Sequence, residues 1–295
     1  MIIRRSKLVA PAWQTGALET AAACGADALV LDTCFTVPES RRAEALAALT
    51  ALSSAGKPPG LDVLAWIAAE DAAAVLAAGL GSLLDGVVVA VDSAQDVQAV
   101  DGILGTLEEG KRLPLGKVQL DLVIGSTRAL AAVDALVRAS PRVVSINLDG
   151  DGLAAEVGLE PSQKEDQLFY PRGRIIVASR VTEVQAHGLA FLPGEPGVAE
   201  RARAARRLGL KGAFCWHPDD VRPQNQGFSY TDEEQEYARA QVEAMQEAER
   251  QGLGSVTLRG AMVDLAMYKD AQNVMDRAEA MARKEAGRAA SGGRR

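Results

Sequence analysis

Aromatic residues are scarce in this chain, 4% of 295 positions, and histidine occurs only twice. The core must therefore be built from alanine, valine and leucine, and imidazole chemistry can start only from His187 or His217. Cysteine is rare as well. Cys24, Cys34 and Cys215 stand far apart with no CxxC spacing, as expected of a reducing, cytoplasmic compartment. No apolar run approaches the length that spans a bilayer, and residues 1–10 hold no stretch of signal-peptide length ahead of Pro11; a soluble protein with no membrane partner is expected. Positive charge is in deficit, with a net charge of −7 and a pI near 5.1, which argues against nucleic acid as a partner. The densest basic run, Arg201 to Arg207, alternates with alanines and reads as a solvated helix face.

What is present is apolar and regularly spaced. Hydrophobic residues make up 48% of the chain, enough for a large core. Short, continuously apolar runs alternate with longer Ala-rich amphipathic stretches, the pattern of βα units on a parallel sheet. Strands are predicted at residues 7–11, 28–32, 61–67, 86–91, 118–124, 143–148, 188–192 and 212–216. Helices are predicted at 15–24, 38–53, 70–78, 94–109, 127–139, 162–185 and 199–208, with Gly25, Gly79, Gly110 and Gly209 where C-caps fall. Eight strands point to a closed α/β barrel, a (β/α)8 fold that this length accommodates. Two further helices, 232–251 and 265–284, lie beyond the eighth strand, and their apolar sides need a cover, on the barrel or on another subunit. The expected division is a barrel over 1–228, a helical extension over 229–286 and a disordered tail over 287–295.

The most specific text lies near the end: Gly212-Ala213-Phe214-Cys215-Trp216-His217-Pro218, then Asn225-Gln226-Gly227-Phe228, a charged helix, and Gly260-Ala261-Met262-Val263-Asp264. It resembles citrate lyase β-subunit-like proteins of the HpcH/HpaI aldolase type, where a strand runs into a His-Pro turn, an Asn-x-x-Phe loop, a Glu/Ala-rich helix and a Gly-x-Met-hydrophobic-Asp segment. The opening Arg5-Ser6-Lys7-Leu8-Val9-Ala10-Pro11 and the strand Gly25-Ala26-Asp27-Ala28-Leu29-Val30-Leu31-Asp32 are similar to that family too. The resemblance, which runs from Arg5 to about Ala278, implies a barrel with its site at the strand C-termini, carbon–carbon bond cleavage or formation on hydroxyacyl or oxo-acid substrates that can be CoA thioesters, and Mg²⁺.

The positions that carry this chemistry in the family read differently here. The acidic pair after the second strand becomes Cys34 and Phe35; the third-strand arginine has no counterpart in Val63-Leu64-Ala65-Trp66-Ile67; and the fourth strand ends at Val91 without a lysine. The two Mg²⁺ carboxylates fall on Gly125 and Gly152, leaving Asp151 as the candidate metal ligand, with Asp149 beside it, although Asp-Gly-Asp-Gly is also turn chemistry. Asp264 stands at the family's proton-transfer position and could equally N-cap the helix that follows. Arg5, Asp32, Ser126, Arg128 and His217 complete the candidate substrate-binding set, with Ser126 and Arg128 at a helix start that suits an anion and His217 open to a turn-fixing role. Cys34 reads as a small apolar residue, His187 as a helix-end contact, Arg172 and Arg174 as structural ion pairs, and Asp121 as an interior partner of a base. Three functions follow: a divergent lyase or aldolase; a non-catalytic subunit of a homo- or hetero-oligomer with an active paralogue; or a metal-independent isomerase or hydrolase using Asp32 with His217.

Overall fold

The computed structural model describes residues 1–53, 56–79, 83–160, 167–190 and 197–292. Its chain divides into two compact units, Arg4–Phe228 and a second made of Met1–Ile3 with Ser229–Arg295. In the first unit an eight-stranded parallel sheet runs β7-β6-β5-β4-β3-β2-β1-β8. The strands are β1 Ser6–Pro11, β2 Ala28–Asp32, β3 Asp62–Ile67, β4 Gly86–Ala90, β5 Gln119–Ile124, β6 Val143–Leu148, β7 Gln185–His187 and β8 Ala213–Cys215. Closure between β7 and β8 rests on two backbone bonds, from the Lys211 amide to the Ala186 carbonyl at 2.9 Å and from the Gly188 amide to the Gly212 carbonyl at 2.8 Å. The fold is the (β/α)8 barrel that the spacing of apolar runs predicts.

Helices cover the outside: α1 Ala17–Cys24, α2 Arg42–Leu52, α3 Ala72–Gly79, α4 Ala94–Gly110, α5 Thr127–Leu136, α6 Gly150–Val157, α7 Phe169–Val181, α8 Val198–Leu208 and α9 Pro218–Phe228. The main core lies between them and the sheet. Of the four predicted C-cap glycines, Gly25 and Gly209 take the left-handed conformation a cap requires, whereas Gly79 and Gly110 are the last residues inside their helices.

Three sequence expectations shift. The seventh strand lies at 185–187, not 188–192, because its inward residues are the polar Gln185 and His187; 191 and 192 lie outside the described residues. Asp149-Gly150-Asp151-Gly152 is not a turn but the start of α6, with the Asp149 side chain accepting from the Gly152 amide at 3.0 Å. Asn225-Gln226-Gly227-Phe228 is the last turn of α9 rather than a loop. A methyl group on Gly227 would come within 2.4 Å of the Ala199 carbonyl, so the glycine lets α9 press against α8.

The barrel interior is layered. Residues of one parity along each strand point inward, and the outer layer, toward the strand C-termini, is apolar: Val9, Val30, Leu64, Trp66, Val88 and Val123 pack together. Beneath it lies a polar plug. Lys7 Nζ sits 3.2 Å from Asp121 Oδ2 and 2.7 Å from His187 Nδ1 and also donates to Asn147 Oδ1. Arg4 donates to Asp121, Asp62 and Gln119 at 2.7–2.9 Å. Because an ammonium can only donate, His187 accepts at Nδ1 and is neutral with its proton on Nε2. His187 is thus an interior group, not a helix-end contact, while Asp121 has the basic partners foreseen for it.

Two buried cations share Asp121, and burial favours giving one charge up. Burial lowers the Lys7 pKa to about 8, against the pull of Asp121 and with a push from Arg4. Burial also opposes the Asp121 charge, but Lys7 and Arg4 outweigh it and hold the carboxyl below its usual range.

The second unit contains α10 Asp232–Arg250, a hairpin of β9 Ser255–Leu258 and β10 Ala261–Asp264, and α11 Leu265–Gly292. The hairpin, absent from the sequence reading, turns through Arg259 and Gly260 with φ of 49° and 83°, the two positive values that a two-residue type I′ turn demands. The tail expected to be disordered from 287 is helical through Gly292, and 293–295 lie outside the described residues.

Removing Asp121 leaves the buried Lys7 ammonium without its carboxylate and takes one of Arg4's two, whereas removing Lys7 strands no cation. Asp121→Ala should therefore cost about 3–5 kcal/mol in urea unfolding and Lys7→Met far less. In wild-type protein the unfolded chain binds more protons than the folded one between the folded value of about 8 and the ordinary 10.5. Stability gained from this group should therefore rise with pH across that window, and the rise should be missing in Lys7→Met.

Candidate active site

In a parallel barrel the loops after the strands meet at one mouth, where chemistry is placed. Asp32 ends β2 there and is fully buried. Its carboxylate is filled by its own loop: Oδ1 accepts from the Cys34 and Phe35 amides at 2.9 and 2.7 Å, and Oδ2 from the Thr36 amide and hydroxyl at 2.6 and 2.5 Å. The side chain is a loop anchor. The Asp32–His217 pairing is not made, since the exposed His217 ring turns Nδ1 to Asp219, 3.4 Å from its Oδ2 and 3.3 Å from its amide.

The loop that Asp32 anchors carries Phe35 onto Trp66, with ring centroids 4.5 Å apart and planes 19° from parallel. Trp66 stacks on Phe214 at 4.8 Å and Phe35 on Trp216 at 5.7 Å. Trp216 also lies 6.3 Å from Trp66, so the mouth holds a cluster of rings. Cys34 lies beside it, and burial with the nearby Asp32 pushes its thiol up to about 12, so it is protonated at neutral pH and no nucleophile. That agrees with the apolar reading.

Across the mouth, Gly125 follows β5 and Gly152 lies in the first turn of α6. A methyl group on Gly152 would lie 2.6 Å from Asp149 Oδ2, and one on Gly125 3.1 Å from the same atom. The Asp149 carboxylate thus fills the space into which side chains at both glycines would grow. Asp151, the expected ligand, is exposed on α6. Asp149, named beside it in the sequence, is the residue that caps α6.

The other candidates are dispersed. Ser126 caps α5, accepting from the Ala129 amide at 2.9 Å and donating to Asp92. Arg128 is exposed in the first turn of α5. The anion site foreseen there is partly filled, since Glu156 accepts from the Thr127 amide and hydroxyl at 2.7 and 2.6 Å. Arg5 does not reach the mouth. It precedes β1 at the opposite end and is buried in a bidentate pair with Asp27 at 2.8 and 3.1 Å, so the substrate-binding expectation for it is corrected to a structural one. Arg174 pairs with Asp134 at 2.7 Å and Arg172 donates to the Leu189 carbonyl, both structural. In the second unit Asp264 accepts from the Met267 amide at 3.0 Å, which is the helix cap foreseen as one of its two roles.

The donor set bears on metal. A hard cation such as Mg²⁺ needs several free oxygens, but Asp32 is saturated, Glu156 and Asp92 are engaged, and one Asp149 oxygen caps α6. Among the described residues no three His, Cys, Asp or Glu side chains gather in a metal-binding group. These residues do not fit a Mg²⁺ centre.

Residues 5–218 match the family described as HpcH/HpaI aldolase/citrate lyase. The chain belongs to that family. It is 28% identical over 196 residues to the citrate lyase subunit beta of Haemophilus influenzae, covering 66% of this chain and 67% of that protein. It is 27% identical over 311 residues to an L-malyl-CoA/beta-methylmalyl-CoA lyase of Cereibacter sphaeroides, covering 93% and 94%. Among solved structures, a citrate lyase from Burkholderia xenovorans LB400 superposes with a TM-score of 0.77 at 17% identity, over 96% of this chain and 93% of that one. The CitE protein of Mycobacterium tuberculosis, in complex with magnesium, acetoacetate and coenzyme A, gives 0.70 at 23% identity, over 94% and 98%. The relatives support carbon–carbon lyase or aldolase chemistry as the family's setting. No described helix is long and apolar enough to cross a membrane.

The four bonds to Asp32 are what hold Phe35 in the ring cluster. Asp32→Asn replaces one oxygen with an amide that faces N–H donors. A loss of about 1–3 kcal/mol in thermal or urea unfolding is expected, together with a change in tryptophan fluorescence as Phe35 leaves Trp66.

Proposed function

We propose that this chain is a divergent carbon–carbon lyase or aldolase acting on a hydroxyacyl or oxo-acid molecule, as a CoA thioester or a free acid, at the barrel mouth. The observation that carries the reading is the Asp149 carboxylate, which presses one oxygen against Gly125 and Gly152 and so keeps an acid at the point where both side chains are absent. In the cleavage direction a carboxylate at this point takes the proton of the substrate's β-hydroxyl. The bond between the α and β carbons then breaks, the β carbon becomes a carbonyl, and the electron pair passes to the acyl carbonyl as an enolate, which is protonated on carbon. Asp149 is proposed as that base, its captured proton going back to the enolate carbon, and Arg128 as the cation facing the substrate's anionic oxygen. No step is routed through Mg²⁺, because the described donors do not fit it.

A second reading, a non-catalytic subunit that assembles with further copies or an active paralogue, draws on the saturation of Asp32 by its own loop. One experiment separates the two. Purified protein is offered malyl-CoA, citramalyl-CoA and other 3-hydroxyacyl-CoA thioesters, with EDTA and with Mg²⁺, and release of the acyl-CoA product is followed. The lyase reading expects turnover that survives EDTA and falls about 10²–10⁴-fold in Asp149→Asn. Absence of turnover in every condition leaves the non-catalytic subunit.

A further inference from the structure

Helix α7 carries two features that its own subunit does not use. The first is apolar surface: Phe169, Val177 and Val181 are 65%, 64% and 53% exposed, with Tyr170 beside them at 71%. Positions 169, 173, 177 and 181 follow one another at intervals of four, so they form a single row along one helix face. The second is the remaining member of that row, Gly173, in the interior of a 13-residue helix. A methyl group there would meet nothing within 4 Å, and the residue is not among the glycines of positive φ. Alanine would therefore fit, and glycine costs the helix roughly 0.5–1 kcal/mol relative to it. Nothing in the packing or the backbone of the described subunit calls for this glycine. Its effect is a gap in an otherwise apolar row.

Row and gap complement each other when two copies of α7 lie antiparallel across a two-fold axis, where each contact is made twice. With the axis between Gly173 and Val177, Gly173 faces the partner's Val177 and Phe169 faces the partner's Val181. Each gap then receives a valine, and all four positions of both rows are covered. Moving the axis to Gly173 leaves Val181 past the start of the partner's helix, and moving it to Val177 leaves Phe169 past its end. Rows spaced by four residues are also the ridges that interlock when helices cross at about −50°. Charge agrees with this register. The exposed Arg180 comes over the ring of the partner's Tyr170, a cation–π pairing, whereas parallel copies would set arginine against arginine; the helix dipoles oppose as well. Val157 at the end of α6, itself exposed, lines one groove with Tyr170 and widens the face. We infer that this face of α7 is an interface between two copies of this chain, packed antiparallel about an axis between Gly173 and Val177. The inference stands apart from the lyase reading and from any contact made by the second unit.

The test is sedimentation velocity on the full chain at about 1–100 µM, the range in which an interface at the small end of the specific class exchanges. Wild-type protein is compared with Val177→Glu, which puts a carboxylate into the contact, and with Gly173→Leu. The second variant discriminates. Leucine at 173 enters open space in the single subunit and favours the helix, so circular dichroism should show a fold that melts no lower than wild type. It also adds apolar surface, which would strengthen association through any generally adhesive patch. In the register inferred here it fills the gap that the partner's Val177 needs and should weaken the dimer about tenfold or more. The expected result is that both variants sediment with half the wild-type mass at concentrations where the wild type is paired. A wild type that is monomeric throughout the range overturns the inference and leaves the face to a different partner. An assembly whose mass is unchanged in Val177→Glu, or one that Gly173→Leu preserves or tightens, overturns it too.

Discussion

A parallel eight-stranded sheet loses its free edges only if its last strand reaches its seventh, and the rest of this molecule depends on that closure. Two backbone hydrogen bonds between residues 186–188 and 211–212 make it, and the interior must then be filled at constant volume. The inner half is filled with charge. Arg4 and Lys7 converge on Asp121, with Asn147 and neutral His187 taking the remaining ammonium protons. A plug of this kind contributes little net stability but is intolerant of losing one member. It tethers β1, β5, β6 and β7 across the barrel, including the short seventh strand next to the closure. The half toward the mouth is apolar and supports the aromatic cluster.

Space and hydrogen-bonding capacity decide which acid is available at the mouth. Asp32 is buried at a strand end, a position that invites a catalytic assignment, yet four donors from its own loop leave its carboxylate engaged. Asp149 has one oxygen bound to a helix amide and the other against two glycines.

Much of the fold was legible. Apolar runs located seven of the eight strands, and β2 and β6 match residue for residue. The seventh strand was misplaced by three residues, since its inward Gln185 and His187 serve the polar plug and look like loop text. Helix α6 was taken for a turn because Asp-Gly-Asp-Gly has poor helix propensity, which the Asp149 cap overrides. At the site, the family resemblance showed which acids are missing. It could not show that Asp149 fills their space or that Phe35, Trp66, Phe214 and Trp216 stack, because those contacts join segments from 35 to 216 and leave no local pattern. Arg5 was misjudged for the same reason, its partner Asp27 lying just ahead of the next strand.

The central claim is that this barrel keeps the family's frame while its mouth carries a relocated carboxylate in place of a metal centre. Manganese binding, read by electron paramagnetic resonance on wild-type protein, Asp149→Asn and the double variant Gly125→Glu/Gly152→Asp, tests it most directly. The account predicts no stoichiometric site in the wild type. A tight single site in the wild type that is lost in Asp149→Asn would contradict it, and would return the chain to the metal-dependent chemistry from which its residues set it apart.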